Sequence, residues 1–181
     1  TFNADMEQLK KSVHDFEAEY KKTILIKDAP ISENVKRLKK SIVSYEKILN
    51  SMGKLSGYAT LHHVTATNDP SRTKFYGDTQ VKITEISNKI IFYELELNSL
   101  SEKVLEKLLS DKELAPYKSW FENIRKYKPH QLSDEVEQIF HDKSMTSFSA
   151  WNRLFDQTIS NMKVDIDGKS KSLEEALNYL L

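Results

Sequence analysis

The longest run of regularly spaced apolar residues limits this chain to a largely helical fold. Apolar side chains recur three and four residues apart in this run, at Val35, Leu38, Ile42, Tyr45, Leu49 and Met52. Because an α-helix repeats every ~3.6 residues, this spacing places them on one helix face. The pattern continues to about Leu61, and Ser32 precedes it as a predicted N-cap. Only four glycines and four prolines occur in 181 residues, which favours few, long elements.

Two further apolar stripes, each a set of apolar residues on one helix face, lie before and after this one in the sequence. The stripe that precedes it contains Met6, Leu9, Val13, Phe16 and Tyr20. The third begins after a predicted cap at Asp69 and contains Tyr76, Thr79, Ile83, Ile86, Ile90, Tyr93 and Leu97. Residues 1–98 are therefore predicted to form three long antiparallel helices that pack at shallow angles. A coiled coil stays open as an alternative.

Shorter helices are predicted over residues 99–163. Ser99 and Glu102 have the spacing of a capping box. A helix rich in aromatic residues is predicted after Pro116. Its stripe is interpreted as part of the hydrophobic core and not as a surface that stacks on nucleic-acid bases, and it contains Tyr117, Trp120, Phe121 and Ile124. A later helix is predicted to bury Ala150, Trp151, Leu154, Phe155 and Ile159.

The only β element that the sequence predicts lies near the C-terminus. Residues 164–171 alternate apolar and polar side chains around Asp167-Gly168, which indicates a hairpin. Residues 172–181 are interpreted as the start of a truncated helix, capped by Ser172 and Glu175, with an apolar face of Leu173, Ala176, Leu177, Leu180 and Leu181. The predicted fold class is all-α, with long antiparallel helices, then shorter helices, and one small hairpin, in a single N-terminal helical domain over residues 1–181.

Charge and cysteine content exclude several classes of function. Lysine and arginine number 27, as do aspartate and glutamate, so no net field attracts nucleic acid or an anionic membrane. The absence of cysteine removes disulfides and thiolate zinc sites, and agrees with a cytoplasmic location, although secretion with a cleaved leader stays an alternative. No apolar run approaches the ~18 residues of a membrane span. We therefore expect neither a nucleic-acid partner nor a membrane partner.

The histidines do not form a metal site in the sequence. Glu137 and His141 are four residues apart, but a catalytic zinc needs a third protein ligand and none is suitably spaced. His62 and His63 are adjacent and would point about 100° apart, so we expect one to be packed and the other exposed. His14 is interpreted as part of a solvated face. No catalytic or metal-ligating residue is predicted, and none is assigned to substrate binding, although an enzyme acting through Glu137 and His141 stays open as a rival.

The stretch from residue 125 to 145 is interpreted as a turn and a helix start. Pro129 is expected to end the preceding helix and to bias Lys128 away from helical geometry. His130 would then lie in the connection, as a structural histidine or, alternatively, at a ligand cleft. Ser133 is the predicted cap of the next helix, whose first turn carries the acids Asp134, Glu135 and Glu137.

Four segments carry a resemblance to a known family: "ITEISNKIIFYELELN" (83–98), "RKYKPHQLSDEVEQIFHDKS" (125–144), "AWNRLFDQTI" (150–159) and "DIDGKSKSLEEALNYL" (165–180). They resemble the N-terminal helical part of oligoendopeptidase F, a family in the thimet-oligopeptidase class of zinc metallopeptidases. The chain departs from the family pattern at Gln157, where glutamate is expected after "RLFD". The resemblance covers most of the chain in the same order.

This resemblance implies a mostly helical parent protein that cleaves oligopeptides in a deep channel. The family holds zinc with an H-E-x-x-H helix and a downstream glutamate, and the motif's own glutamate is the general base. None of these residues lies in this chain, so the resemblance implies a channel-forming segment with no cofactor of its own and no activity alone. The implied partners are the catalytic domain of the same polypeptide and oligopeptide substrates.

A structural cluster of polar residues is also expected. His130, Ser133, Arg153 and Asp156 are predicted to connect neighbouring helices through polar contacts. The alternative function is a stand-alone helical protein-interaction module without catalytic activity. The apolar face of the last helix favours the first hypothesis, because the hairpin before it has too little area to cover that face.

Overall fold

Helices account for most of the structure, as the apolar stripes predict. The computed structural model describes residues 1–144 and 146–179, and its contacts divide the chain into two units, Thr1–Ile139 and Phe140–Leu181. The helices up to residue 144 are α1 Phe2–Tyr20, α2 Ile31–Val64, α3 Pro70–Asn88, α4 Ile91–Ser99, α5 Glu102–Leu109, α6 Lys118–Tyr127 and α7 Asp134–Ser144. The predicted all-α class with one small hairpin is confirmed. The assignment of residues 1–181 to a single domain stays a prediction.

The first unit is built on α1, α2 and α3, which share one hydrophobic core. All five stripe residues of α1 are buried, as predicted. Along α2 the stripe is buried as far as Tyr45, but Leu49 is exposed and Met52 is only partly buried. Ile48, Leu55 and Ala59 are buried instead. A different face of α2 is therefore buried in the second half of the helix. In that half α3 packs beside α2, and the Gln80 side-chain amide donates a hydrogen bond to the Ser56 hydroxyl.

The third predicted helix is two helices. α3 ends at Asn88 and α4 begins at Ile91, although the stripe from Ile83 to Leu97 remains buried across the break. The hydroxyl of Ser87 donates to the Thr84 carbonyl, and short-range side-chain bonds of this kind compete with regular helix geometry. The sequence pattern correctly predicted which face is buried, but it did not predict the break between α3 and α4. Tyr76, the first member of that stripe, is only partly buried.

The helix starts confirm two predicted caps and correct two others. Asp69 accepts N–H bonds at the start of α3, and Ser172 and Glu175 form the capping box predicted for the last helix. Ser32 is not a cap, because α2 begins at Ile31 after Pro30. Ser99 belongs to α4, and Ser101 caps α5 by accepting the Val104 N–H at 3.4 Å.

The aromatic helix α6 is core, as predicted. Phe121 and Ile124 are buried, while Tyr117 and Trp120 are partly buried against the same core. α6 is followed by a short 3-10 turn at Lys128–His130, in which Lys128 keeps helical angles (φ −52°, ψ −42°). The prediction that Pro129 biases Lys128 out of helical geometry is therefore wrong, since a 3-10 turn accommodates proline near its start.

The second unit contains α8 Phe148–Asn161, β1 Lys163–Ile166, β2 Lys169–Ser172 and α9 Leu173–Leu177. The strands pair antiparallel, with Val164 opposite Lys171 and Ile166 opposite Lys169. Asp167 and Gly168 both have positive φ, 54° and 70°, the combination that a type I′ hairpin turn requires. The predicted hairpin is confirmed and is one residue longer at each end.

The last helix, α9, has a mixed surface. Ala176 is buried and Leu173 is partly buried, whereas Leu177 is exposed. The predicted apolar face also included Leu180 and Leu181, which lie outside the described residues.

Candidate interaction surface

The two adjacent histidines of α2 pack against different aromatic rings. His62 stacks on Tyr58 with ring centroids 5.9 Å apart, and His63 stacks on Tyr76 at 5.1 Å. Both are partly buried, so the prediction that one is packed and the other exposed is wrong. Adjacent residues on a helix diverge by about 100°, which is why the two rings meet different neighbours. His14 is exposed, as predicted.

Glu137 has a local role at the start of α7. Its carboxylate accepts the backbone N–H of Leu132 at 2.9 Å, and its own backbone N–H donates to the Ser133 carbonyl at 2.9 Å. These bonds close the first turn of the helix, as the interpretation of this stretch as a helix start requires. The side-chain cap by Ser133 stays a prediction. No group of three or more His, Cys, Asp or Glu among residues 1–144 and 146–179 could hold a metal ion.

The predicted polar cluster is divided between the two units. His130 and Ser133 lie in the first unit, where both are exposed. Arg153 and Asp156 lie on α8 in the second unit, where both are exposed as well. The polar contacts expected between these pairs stay a prediction.

An arginine that the sequence did not single out fixes the connection between α4 and α5. The Arg125 guanidinium donates to the carbonyls of Asn98 and Leu100, both at 2.6 Å. The buried Asn98 amide donates in return to the Ile124 carbonyl at 3.2 Å. These bonds tie the α4–α5 connection to α6. A planar guanidinium suits such paired acceptors, but the contact joins residues about 26 positions apart, so no local pattern indicates it.

Two buried tyrosines add polar contacts to the core of the first unit. The hydroxyls of Tyr93 and Ser41 are 2.7 Å apart, and the Tyr45 hydroxyl donates to Glu94 at 3.1 Å. Burial raises the pKa of both tyrosines well above the ordinary value, and the charge of Glu94 raises the pKa of Tyr45 further. Both hydroxyls therefore remain protonated donors over the whole physiological pH range.

Among the described residues of the second unit, the least covered apolar surface lies on α8. Phe148, Trp151 and Phe155 have exposed fractions of 73%, 70% and 65%. At about 100° per residue these three side chains fall within an arc of about 60°, which we call the α8 aromatic face. No described residue of α8 is buried. The prediction that this helix buries Trp151, Leu154 and Phe155 is therefore wrong: the helical spacing is real, but all three side chains are exposed. Ala150 and Ile159 of the same stripe are partly buried.

The α8 aromatic face carries no charged side chain. Arg153 and Asp156 are the only charged residues of α8 and lie at least about 80° around the helix from the nearest aromatic residue. Aromatic side chains bury about 150–250 Å² each, so three that are about two-thirds exposed leave roughly 300–500 Å² of apolar surface. This area is comparable to the largest apolar patch of a typical soluble monomer, and such patches are often functional. None of the described helices is long and apolar enough to cross a membrane.

Comparison with known proteins gives three matches. The family model described as Oligopeptidase F matches residues 96–163. An oligoendopeptidase F homolog from Borreliella burgdorferi is 27% identical over 106 residues, which cover 59% of this chain and 18% of that protein. The crystal structure of oligoendopeptidase-F from Enterococcus faecium shares the fold with a TM-score of 0.75 and 15% identity, over 97% of this chain and 33% of that one.

The three matches name the same kind of protein. The matched family segment contains α5, α6, α7 and α8, and therefore includes both the Arg125 contacts and the α8 aromatic face. The chain spans about a third or less of the length of each relative. The resemblance stated from the sequence is confirmed: this chain is similar to the N-terminal helical region of oligoendopeptidase F.

Proposed function

We propose that this chain is the N-terminal, channel-forming part of an oligopeptide-cleaving zinc metalloendopeptidase of the oligoendopeptidase F kind. The observation that carries the proposal is the match of residues 96–163 to the Oligopeptidase F family. That segment lies within a fold that an oligoendopeptidase-F shares over 97% of this chain. The parent polypeptide would be the enzyme, and this part would be inactive alone. The cytoplasmic location predicted from the sequence remains part of the proposal.

The zinc of this proposal is held outside the chain. A catalytic zinc takes three protein ligands and keeps a position open for water. The described residues do not fit this requirement, because they bring no three His, Cys, Asp or Glu side chains together. The ligands and the general base would therefore belong to the rest of the polypeptide, and no catalytic step is assigned to this chain.

The role assigned to this chain is to restrict access. Long helices such as α2, with 34 residues, span about 50 Å and can line one side of a channel. Burial of their apolar stripes in a shared core makes them rigid enough to exclude folded proteins. Oligopeptides would enter, whereas a folded protein of ordinary domain size would not.

A cleavage assay on the whole polypeptide tests this proposal. The complete reading frame that contains these 181 residues is expressed and incubated with quenched fluorescent peptides of increasing length and with a folded protein of matched sequence. We expect cleavage of the short peptides, no cleavage of the folded protein, and loss of activity on chelation that zinc restores. Equal cleavage of folded and short substrates would contradict the channel role, and no cleavage of any peptide would contradict the enzyme.

The stand-alone interaction module remains the second candidate. The exposed α8 aromatic face is the observation that favours it, since apolar patches also bind partner proteins. The same assay separates the two candidates: a module would show no chelator-sensitive peptidase activity in its complete reading frame.

A further inference from the structure

We infer that the α8 aromatic face is the surface on which the C-terminal part of the same polypeptide packs. This inference rests on the proposed function, because it takes the C-terminal part to be the catalytic region of the parent protein. It adds to that function the residues that join the two parts: Phe148, Trp151 and Phe155.

The exposure of the face requires a covering surface. An isolated helix of the length of α8, 14 residues, is marginal in water, and helices in proteins take most of their stability from packing an amphipathic face. Among the large hydrophobic side chains of α8, the three most exposed are all aromatic. Aromatic side chains contribute most where they are fully desolvated. The second unit leaves these three side chains exposed, and we assign the contacts that cover them to the rest of the polypeptide.

The chemistry of the face limits what can cover it. It has no charged residue, and both charged residues of α8 lie to the side. A charged partner surface would lose water there without gaining an ion pair, which costs free energy. The covering surface is therefore apolar, like the inner face of a protein core.

The area of the face disfavours a second copy of this chain. Two such faces would bury roughly 600–1,000 Å² in total, below the ~1,200 Å² at the low end of specific, stable interfaces. A covalently linked partner has no such threshold, because its effective concentration is in the millimolar range. The relative with the same fold is about three times as long as its match to this chain, so about two-thirds of its length lies outside the match.

Cysteine labelling of the whole polypeptide tests the inference. The 181 residues contain no cysteine, so an introduced thiol is the only one in this part. Phe155→Cys places it on the face. Gln157→Cys is the matched control, because it is exposed on the same helix about 160° away. Trp151→Cys is a second variant on the face, in case Phe155→Cys disturbs packing, and circular dichroism verifies the helix content of each.

We expect the thiol at 155 or 151 to react with a maleimide about tenfold or more slowly than the thiol at 157 in the whole polypeptide, because burial restricts reaction to open states. In the 181-residue chain all three should react at similar rates. Equal rates in the whole polypeptide would overturn the inference. Protection in the 181-residue chain would also overturn it: protection that grows with protein concentration would assign the face to a second copy, and protection at every concentration would assign it to this chain's own residues.

These results are separable from the proposed function. Protection of the face without peptidase activity would support the packing and contradict the enzyme. Peptidase activity without protection would support the enzyme and overturn the packing.

Discussion

The buried hydroxyl pair of Ser41 and Tyr93 offers a quantitative test of the first unit's core. Both residues have a fully buried position, and their oxygens are 2.7 Å apart. The Ser41 hydroxyl donates to the Leu38 carbonyl at 2.8 Å, so the Tyr93 hydroxyl is the donor within the pair. Removing Ser41 leaves a buried donor without a partner, whereas removing the Tyr93 hydroxyl leaves Ser41 still bonded.

This asymmetry sets the expected magnitudes. Ser41→Ala should lower the free energy of unfolding by about 1–3 kcal/mol, the cost of an unsatisfied buried donor, less a few tenths for alanine's higher helix propensity. Tyr93→Phe should lower it by about 0.5–1.5 kcal/mol and keep the ring contacts with Phe16 and Tyr45. The double variant should cost at least about 1 kcal/mol less than the sum, because no donor remains unsatisfied.

Urea unfolding followed by circular dichroism measures all four members of this cycle. Ser51→Ala is the matched control, because Ser51 lies on the same helix and its hydroxyl bonds the Lys47 carbonyl on an exposed surface. It should change the free energy of unfolding by less than about 0.5 kcal/mol. Single-variant costs that add to within about 0.3 kcal/mol would refute the coupling and with it the orientation assigned to the pair.

Three further perturbations follow from the first unit. Because burial raises the pKa of Tyr45 and Tyr93 above the ordinary 10.0, unfolding at higher pH releases protons that the native chain retains. The contribution of these two tyrosines to the free energy of unfolding should be constant below pH ~10 and should fall above it, so the free energy of unfolding should fall less steeply in Tyr93→Phe. Asp69→Ala removes the cap of α3 and should cost about 1 kcal/mol in thermal unfolding, with Asp69→Asn costing less. Arg125→Met removes the donors to two carbonyls and should cost about 2–3 kcal/mol in urea unfolding, whereas Lys126→Met, on the exposed side of α6, should be nearly neutral.

Each of these expectations has a contradicting result. Stability that does not fall above pH ~10, or falls equally in Tyr93→Phe, would place the tyrosine hydroxyls in water. Equal costs for the alanine and asparagine variants of Asp69 would exclude the capping bonds. Similar costs for the substitutions at Arg125 and Lys126 would exclude the guanidinium contacts between α4, α5 and α6.

Helix positions followed from the sequence because the apolar spacing reports the face that meets the core. Met6, Leu9 and Val13 on α1 are buried for this reason. The break after Asn88 was not predictable from the stripe, since the same face stays buried on both sides of it. The cap at Ser99 was mispredicted because serine also bonds carbonyls one turn back, as the Ser99 hydroxyl does to Glu96. The cap at Ser32 was mispredicted because α2 begins one residue earlier, at Ile31.

Apolar periodicity also could not tell a core from an uncovered surface. Trp151 and Phe121 have the same kind of helical spacing, yet Phe121 is buried and Trp151 is 70% exposed. The difference depends on what packs opposite each helix, and that information is not local to either stripe. The contacts of Arg125 were missed for the same reason, because their acceptors lie on another element.

The metal content of the purified polypeptide tests the central claim most directly. Mass spectrometric metal analysis of the complete reading frame and of the 181-residue chain would be compared after identical dialysis. We expect about one zinc per whole polypeptide and none in the 181-residue chain, because a catalytic site needs three convergent ligands and the described residues bring none together. Stoichiometric zinc in the 181-residue chain, or none in the whole polypeptide, would contradict the proposal that this chain is the zinc-free N-terminal part of a zinc peptidase.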